Sequence, residues 1–290
     1  MRRNFNSIEP NHLSDSQPFF SKSNEHIIRK PMKYKLITLF IALITTCVIL
    51  GFKLNSYYAA AKERPIYKTI QHNDDTIRIA YIGDSWAFGH QFHQCKIEGV
   101  LENKLQRPVI VSSYGIGGLT SKEIYHALFE LDSLKHFMQK GYDYCFISAG
   151  INDTYKKMGT SYYQKSMDCI IQFLLANHIY PIIQEIPDYN ITKAYDNQKI
   201  DKKLLRQISM LINNTDLDCK QQFRDALDEL IQAKKYQDKV TIIRYKSWNK
   251  SYEKDLKEIY IEDQMHLNEK GYTSLDDYIS KEIQQIEQIK

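Results

Sequence analysis

The chain has 290 residues, 43% hydrophobic and 26% charged, a balance that excludes disorder over its whole length. Its net charge of +4 is uneven: residues 1–35 carry seven Lys and Arg against three Asp and Glu, and the rest carries 32 of each sign. A neutral main body without a basic stripe has no electrostatic footprint for nucleic acid, so no nucleic-acid partner is expected.

Residues 1–34 are rich in Asn, Ser, Pro and basic side chains and show no sustained hydrophobic period, which reads as a disordered tail. Leu36 to Phe52 (LITLFIALITTCVILGF) then runs without a charge, bracketed by Lys33 and Lys35 on one side and Lys53 on the other. As a helix it spans about 25 Å, at the short end for a bilayer, and snorkelling lysines lengthen the effective span. Tyr34, Tyr57 and Tyr58 stand where an interfacial aromatic belt lies. The reading is one transmembrane helix over residues 35–53, with the basic N-terminal side held in the cytoplasm and the large domain sent outward. A buried core helix would not normally stand between a polar tail and a charged linker. A cleaved signal peptide competes, because Ala59-Ala60-Ala61 offers an A-x-A site. Against cleavage, the preceding segment is far longer than an n-region and the site lies well past Phe52. Both readings export the domain.

Residues 54–75 read as a polar linker and residues 76–290 as one domain. In that domain short β-like runs appear at 77–82 (IRIAYI), 108–113 (PVIVSS), 142–149 (YDYCFISA), 180–186 (YPIIQEI) and 240–245 (VTIIRY). Between them lie stretches of helical period, around 93–106, 120–140, 160–178 and 195–236, with a last one from Asn268. Apolar strands separated by helices predict a five-stranded parallel sheet covered on both faces, a three-layer α/β/α sandwich. The stretch from Tyr189 to Gln237 is long for one crossover and is expected to hold two helices, as a lid or as added packing. Cys47 falls in the apolar span, and Cys95, Cys145, Cys169 and Cys219 are widely spaced. The absence of a C-x-x-C pair excludes a zinc ribbon or a thioredoxin-type motif. Their pairing stays open; Cys145, in an apolar strand-like run, is expected to be a buried thiol.

In a parallel sheet ligands bind beyond the carboxyl ends of the strands, so the loops that follow strands are where chemistry is sought. The first strand ends in IGDSWAFG, which puts Gly83, Asp84 and Ser85 at its tip; Gly83 permits a tight turn that presents the Ser85 hydroxyl above the sheet. Taken alone, Gly-Asp-Ser is also ordinary turn chemistry. The second strand runs into SSYGIGGLTSKEI, where Gly115, Gly117 and Gly118 precede a helix capped by Thr120 or Ser121, with Glu123 in its first turn. Glycines there let a backbone N–H approach a ligand, or simply make a flexible loop. The third strand ends in SAGINDTY, with Gly150, Asn152 and Asp153 just past it. An amide in that place donates to developing negative charge, and equally makes a turn. Near the C-terminus, IEDQMHLNEKGY places Asp263 and His266 three residues apart. That spacing lets a carboxylate fix the tautomer of an imidazole whose other nitrogen can take a proton from a serine. His90 and His93 have H-x-x-H spacing, but no third ligand is apparent and no metal is expected.

These four segments, GDS at 83–85, GIGGLT at 115–120, GIND at 150–153 and DQMHL at 263–267, resemble the blocks of the SGNH (GDSL-like) hydrolase family, in that family's order. The resemblance covers about Ile77 to Lys290 and implies a flavodoxin-like SGNH hydrolase fold. Carried over residue by residue, it implies Ser85 as nucleophile, His266 as general base and then acid, and Asp263 as its orienting carboxylate. The backbone N–H groups of Ser85 and Gly118, with the Asn152 side chain, would form the oxyanion hole. The sequence departs from the family at Ser113, where many members have Asn, and at Trp86, where many have Leu; Trp86 is expected to line the acyl or glycan pocket. The implied reaction is two-step acyl transfer without a cofactor, acting on an ester substrate, foremost an acetylated glycan of the cell envelope. Lipid ester or thioester hydrolysis, acyl transfer onto a sugar hydroxyl, and a catalytically silent glycan-binding module are the alternatives.

Overall fold

A computed structural model describes residues 30–249 and 251–289; of the tail read at residues 1–34, residues 1–29 lie outside the described residues, and residues 30–34 are helical rather than disordered. The chain divides into two units, residues 1–57 and 58–290. Helix α1 (Lys30–Tyr58), which ends on the first residue of the second unit, contains a stretch, Tyr34–Tyr58, that is long and apolar enough to cross a membrane and is not buried. Its 25 residues reach about 37 Å, more than a hydrocarbon core requires. The helix therefore runs past the expected end at residue 53 and takes in Tyr57 and Tyr58.

The second unit begins before residue 76. Residues 59–70, expected as linker, pack on the domain without helix or strand. Ala61 is buried, the Arg64 N–H donates to the Tyr125 hydroxyl at 2.9 Å, and the Thr69 N–H donates to Asn177 Oδ1 at 3.0 Å. Strand β1 (Ile77–Gly83) follows, then the short helix α2 (Ser85–His90) and α3 (Gln94–Leu105). Next come β2 (Val109–Gly115), α4 (Ser121–Glu130), α5 (Asp132–Gln139) and β3 (Tyr144–Ser148). The predicted helix over 120–140 is thus two, because Leu131 takes an extended conformation and Asp132 and Ser133 favour a fresh helix start. Helices α6 (Ile151–Lys156) and α7 (Thr160–Ala176) lead to β4 (Tyr180–Gln184). The long crossover holds three helices rather than the expected two, α8 (Ile191–Asp196), α9 (Ile200–Asn213) and α10 (Lys220–Ala233). Asn197 and Asn214 close the first two of these, Asn214 with φ +49, in the left-handed conformation asparagine tolerates. Strand β5 (Thr241–Ile243), the short helices α11 (Tyr245–Trp248) and α12 (Tyr252–Asp255), and α13 (Glu269–Ile289) complete the chain.

The sheet is parallel throughout, in the order β2-β1-β3-β4-β5. Along β1 the side chains alternate between two apolar cores, as the period of a strand requires. Ala80 and Ile82 join Cys145, Ile147 and Ile183 under α4, α5, α7 and α10. Ile77, Ile79 and Tyr81 join Phe146 and Ile182 under α3 and α13. This is the three-layer α/β/α sandwich with a flavodoxin-like strand order, and its chain reverses direction across the sheet between β1 and β3. Cys145, Cys169 and Cys219 are buried free thiols, while the Cys95 side chain lies outside the described part.

Register puts the working end of the sheet in one row: Gly83 is opposite Gly115 on one side and Ser148 on the other. The three motif loops therefore leave the sheet at the same level, beside the point of reversal. Gly83 has φ +150, and a Cβ there would stand 2.0 Å from the Ser148 carbonyl oxygen.

Candidate active site

Asp84 leaves β1 and caps α2, accepting from the Trp86 N–H at 3.0 Å. Its own N–H donates to the Ser148 carbonyl at 3.0 Å, sewing the tip of β1 to β3. Ser85 is therefore the first residue of a helix, where a backbone N–H has no partner within the helix. The Asp84 carboxylate is fully buried and also accepts from Ser148 Oγ at 3.0 Å and from Asn152 Nδ2 at 3.5 Å. Burial pushes its pKa up to about 6, against those hydrogen bonds.

The glycine loop packs beside Ser85. The Ile116 N–H donates to the Gly83 carbonyl at 3.0 Å, and a Cβ on Gly117 would lie 3.9 Å from that of Ser85. Gly118 has φ +83 and faces open space. Thr120 then caps α4 in a reciprocal pair with Glu123. The loop after β3 is tied to this one by Asp153, which accepts from the Ser121 N–H at 2.8 Å and Ser121 Oγ at 2.6 Å. Asn152, next to it, remains partly exposed.

The Asp-x-x-His segment is a loop bonded to itself. Asp263 Oδ1 accepts from the N–H groups of Met265 and His266, both at 2.9 Å, and Gln264 between them takes φ +60. His266 Nδ1 lies 2.5 Å from Asp263 Oδ2, and His266 Nε2 lies 2.8 Å from Ser85 Oγ. Burial raises the Asp263 carboxyl, but hydrogen bonds from His266 and Met265 outweigh it and hold the group below the usual carboxylate range. An ionised Asp263 accepting from Nδ1–H assigns the tautomer that leaves Nε2 free to accept the serine proton. All three side chains keep solvent access, His266 at 32% and Asp263 at 43%.

Trp86 corrects an expectation. It is 1% exposed and so is packed into the core rather than presented to an open pocket. Its Nε1–H donates to the Met265 carbonyl at 3.2 Å, and its own carbonyl accepts from the Tyr272 hydroxyl at 3.1 Å. An indole can reach across this gap where the leucine of other members cannot hydrogen-bond, so Trp86 ties the Ser85 helix to the His266 loop. His90 is likewise committed: its ring stacks on Tyr81 at 3.7 Å and lies between Ser113 Oγ at 3.0 Å and Asp276 Oδ1 at 2.6 Å. Ser113, the other departure, thus meets a histidine. Among the described residues no group of three or more His, Cys, Asp or Glu could hold a metal ion. The Asp84–Asn152 contact, the Asp153 tie and the Asp276 partner of His90 were not read from the sequence. The first two sit beside recognised motif residues; Asp276, 186 positions from His90, left no local signal.

Two buried carboxyls beneath the site make stability depend on pH. Burial raises Asp153 to about 7, aided by repulsion from Asp84. A raised carboxyl contributes stability that is fully present below its ordinary value of 3.8 and is lost as pH climbs through about 6 for Asp84 and about 7 for Asp153. Asp263, shifted down, contributes stability that is present above 3.8 and is lost as pH falls below it. Asp153→Asn can still accept from the Ser121 N–H while donating to its hydroxyl. It is expected to flatten the fall of Tm between about pH 4 and 7; an unchanged Tm–pH curve would refute the burial of charge at that position.

Residues 81–273 match the family described as GDSL-like lipase/acylhydrolase. No curated protein matches the chain. Among solved structures, an acetyl xylan esterase shares 17% identity, with 71% of this chain and 100% of that one covered and a TM-score of 0.51. A GDSL-like lipase from Bacteroides thetaiotaomicron shares 16% (72% and 88% covered, TM-score 0.47). The lipase/acylhydrolase from Enterococcus faecalis also shares 16% (72% and 96%, TM-score 0.49). At such identities the likeness is one of fold. The family match, however, takes in well over half of the chain and runs from β1 through the His266 loop: the chain belongs to the GDSL-like lipase/acylhydrolase family and is a hydrolase of the SGNH type.

Proposed function

We propose that this hydrolase is a serine esterase that removes O-acetyl groups from cell-envelope or extracellular carbohydrate through an acyl-enzyme on Ser85. The observation that carries it is the series Asp263 Oδ2, His266 Nδ1, His266 Nε2, Ser85 Oγ, at 2.5 and 2.8 Å. In this reading Nε2 takes the hydroxyl proton as Oγ attacks the ester carbonyl, and returns it to the departing sugar oxygen. Water, deprotonated by the same nitrogen, then releases acetate and restores Ser85. The negative oxygen of each tetrahedral intermediate is held by the N–H groups of Ser85 and Gly118 and by Asn152 Nδ2. Asp84 supports this by fixing the Asn152 amide and the start of α2 together. Neither metal nor organic cofactor enters any step.

The identity of the acyl group rests on where the domain stands. We read α1 as an uncleaved anchor with its basic side in the cytoplasm, which puts the domain among envelope glycans. One solved neighbour of the fold is an acetyl xylan esterase. The test uses the full chain in detergent: labelling by a fluorophosphonate, aryl esters of increasing acyl length, and an O-acetylated glycan with acetate measured. Expected are a label on the Ser85 peptide, preference for acetyl, and free acetate ahead of any acetyl passed to an added glycan. No label at Ser85 ends the mechanism; preference for long acyl chains, or transfer outpacing acetate release, ends the choice of substrate or of hydrolysis.

A further inference from the structure

Helix α9 sits on the domain with its amphipathic faces reversed. Arg206, Ser209 and Asn213, spaced along one side, turn inward. The Arg206 guanidinium donates to the Tyr155 carbonyl and stacks on the Tyr155 ring at 3.9 Å. Ser209 is buried, and Asn213 Nδ2 donates to the Lys157 carbonyl at 2.7 Å. The opposite side carries Ile200, Leu204, Ile208, Leu211 and Ile212 into open space, with Ile200 and Leu211 each 85% exposed. At 100° per residue these fall within one arc of about 120°. A surface helix normally buries such a stripe, and a contiguous exposed one marks an interface.

Two observations say what covers it. Ser209 Oγ, on the inner face of α9, lies 2.5 Å from the hydroxyl of Tyr58, the last residue of the membrane-length helix. Tyr58 is the first residue of the second unit, and the membrane-length stretch ends on it, so in an anchored protein the residue that Ser209 touches is the one at which the chain leaves the bilayer. The cations Lys199, Lys202 and Lys203 outnumber Asp201 on α9 and its first flanking residue, as suits an anionic surface.

We infer that α9 is an interfacial helix that lays its apolar face into an anionic lipid bilayer and holds the domain down on the membrane. The inference rests on the membrane-anchor part of the proposed function and not on its chemistry. Its consequence is steric: Arg206 grips α6, which also carries Asn152, so docking sets the site within a short reach of the lipid surface.

The experiment reconstitutes the full chain into vesicles of phosphatidylcholine and phosphatidylglycerol, with and without brominated acyl chains. Leu211→Trp reports on the face, and Gln237→Trp on an exposed loop serves as control. The Leu211→Trp protein is expected to show added, blue-shifted emission that brominated lipid largely removes. Adding Ile200→Asp and Leu204→Asp should abolish both effects, and Gln237→Trp should show neither. Emission at the long wavelength of wet indole, unaffected by bromine, overturns the inference. So does emission that is blue-shifted yet unquenched, which means protein, such as a second copy, covers the face. Quenching that persists in Ser85→Ala shows the docking is independent of the chemistry. Failure of the chain to float with vesicles overturns both the anchor and the docking.

Discussion

Ser85→Ala is expected to lower kcat/KM for an aryl acetate by about five to six orders of magnitude, the loss seen when serine hydrolases are deprived of the attacking oxygen. The substitution removes one partly exposed oxygen whose described side-chain partner is His266, so Tm should stay close to that of the parent. His266→Ala should cost about as much, and the double variant no more than either single one, because the two groups act as a unit. Asp263→Asn keeps the shape but not the charge. It offers an amide N–H to Nδ1, favours the wrong imidazole tautomer, and should cost about 10⁴-fold. It should also remove the stability that the ionised Asp263 contributes above its ordinary value of 3.8 and loses as pH falls below it, since its carboxyl is held below the usual range only while it accepts from His266 and Met265. If Ser85→Ala retains substantial turnover, the hydroxyl is not the attacking group. If the His266 loss adds fully to the Ser85 loss, the 2.8 Å contact is not a working pair.

The sheet was legible because the strands' apolar runs are short, bounded and separated by helical periods, the signature of strands buried on both faces. Their order across the sheet was not, since nothing in Val109–Gly115 says that it pairs outside β1 while Tyr144–Ser148 pairs inside it. Three of the segments gathered at the site could be located because each directly follows a strand, and the row Gly83, Gly115, Ser148 is what brings their loops to one level; the fourth, Asp263 to His266, was located by its spacing alone. Orientation within the site escaped the reading. Trp86 stands beside Ser85 in sequence, yet on α2 the successive residues point about 100° apart, so its indole enters the core as the hydroxyl faces out. Partners far along the chain, Met265 for Trp86 and Asp276 for His90, are set by packing and leave no mark in local pattern. The break at Leu131 was missed because apolar residues keep helical spacing through it, and the third helix of the long crossover was missed because α8 is only six residues long before Asn197 closes it.

Gly83→Ala is expected to be the most damaging one-carbon change in the domain's working end. The added Cβ would lie 2.0 Å from the Ser148 carbonyl oxygen and 2.8 Å from its carbon. Neither can give way: that oxygen accepts the Asp84 N–H at 3.0 Å, and β1 and β3 are paired through Gly83 itself. With φ +150 the backbone is also one that only glycine adopts freely. The cost should reach about 4 kcal/mol, the range reserved for a clash that the fold cannot relax, and lower Tm by about 10 °C in a domain of this size. Turnover should fall with it, since relief of the clash must move Asp84, and with it the Asn152 amide and the first turn of α2. Gly118→Ala is the matched control. It too sits at positive φ, +83, but its Cβ would meet nothing within 4 Å, so only the left-handed strain of about 1 kcal/mol remains. Its Tm should drop by about 3 °C, while any loss of kcat reports on the direction of the Gly118 N–H. Should the two variants melt together, strain at positive φ would account for both, and the closure of β1 against β3 would not be what holds Ser85 in place.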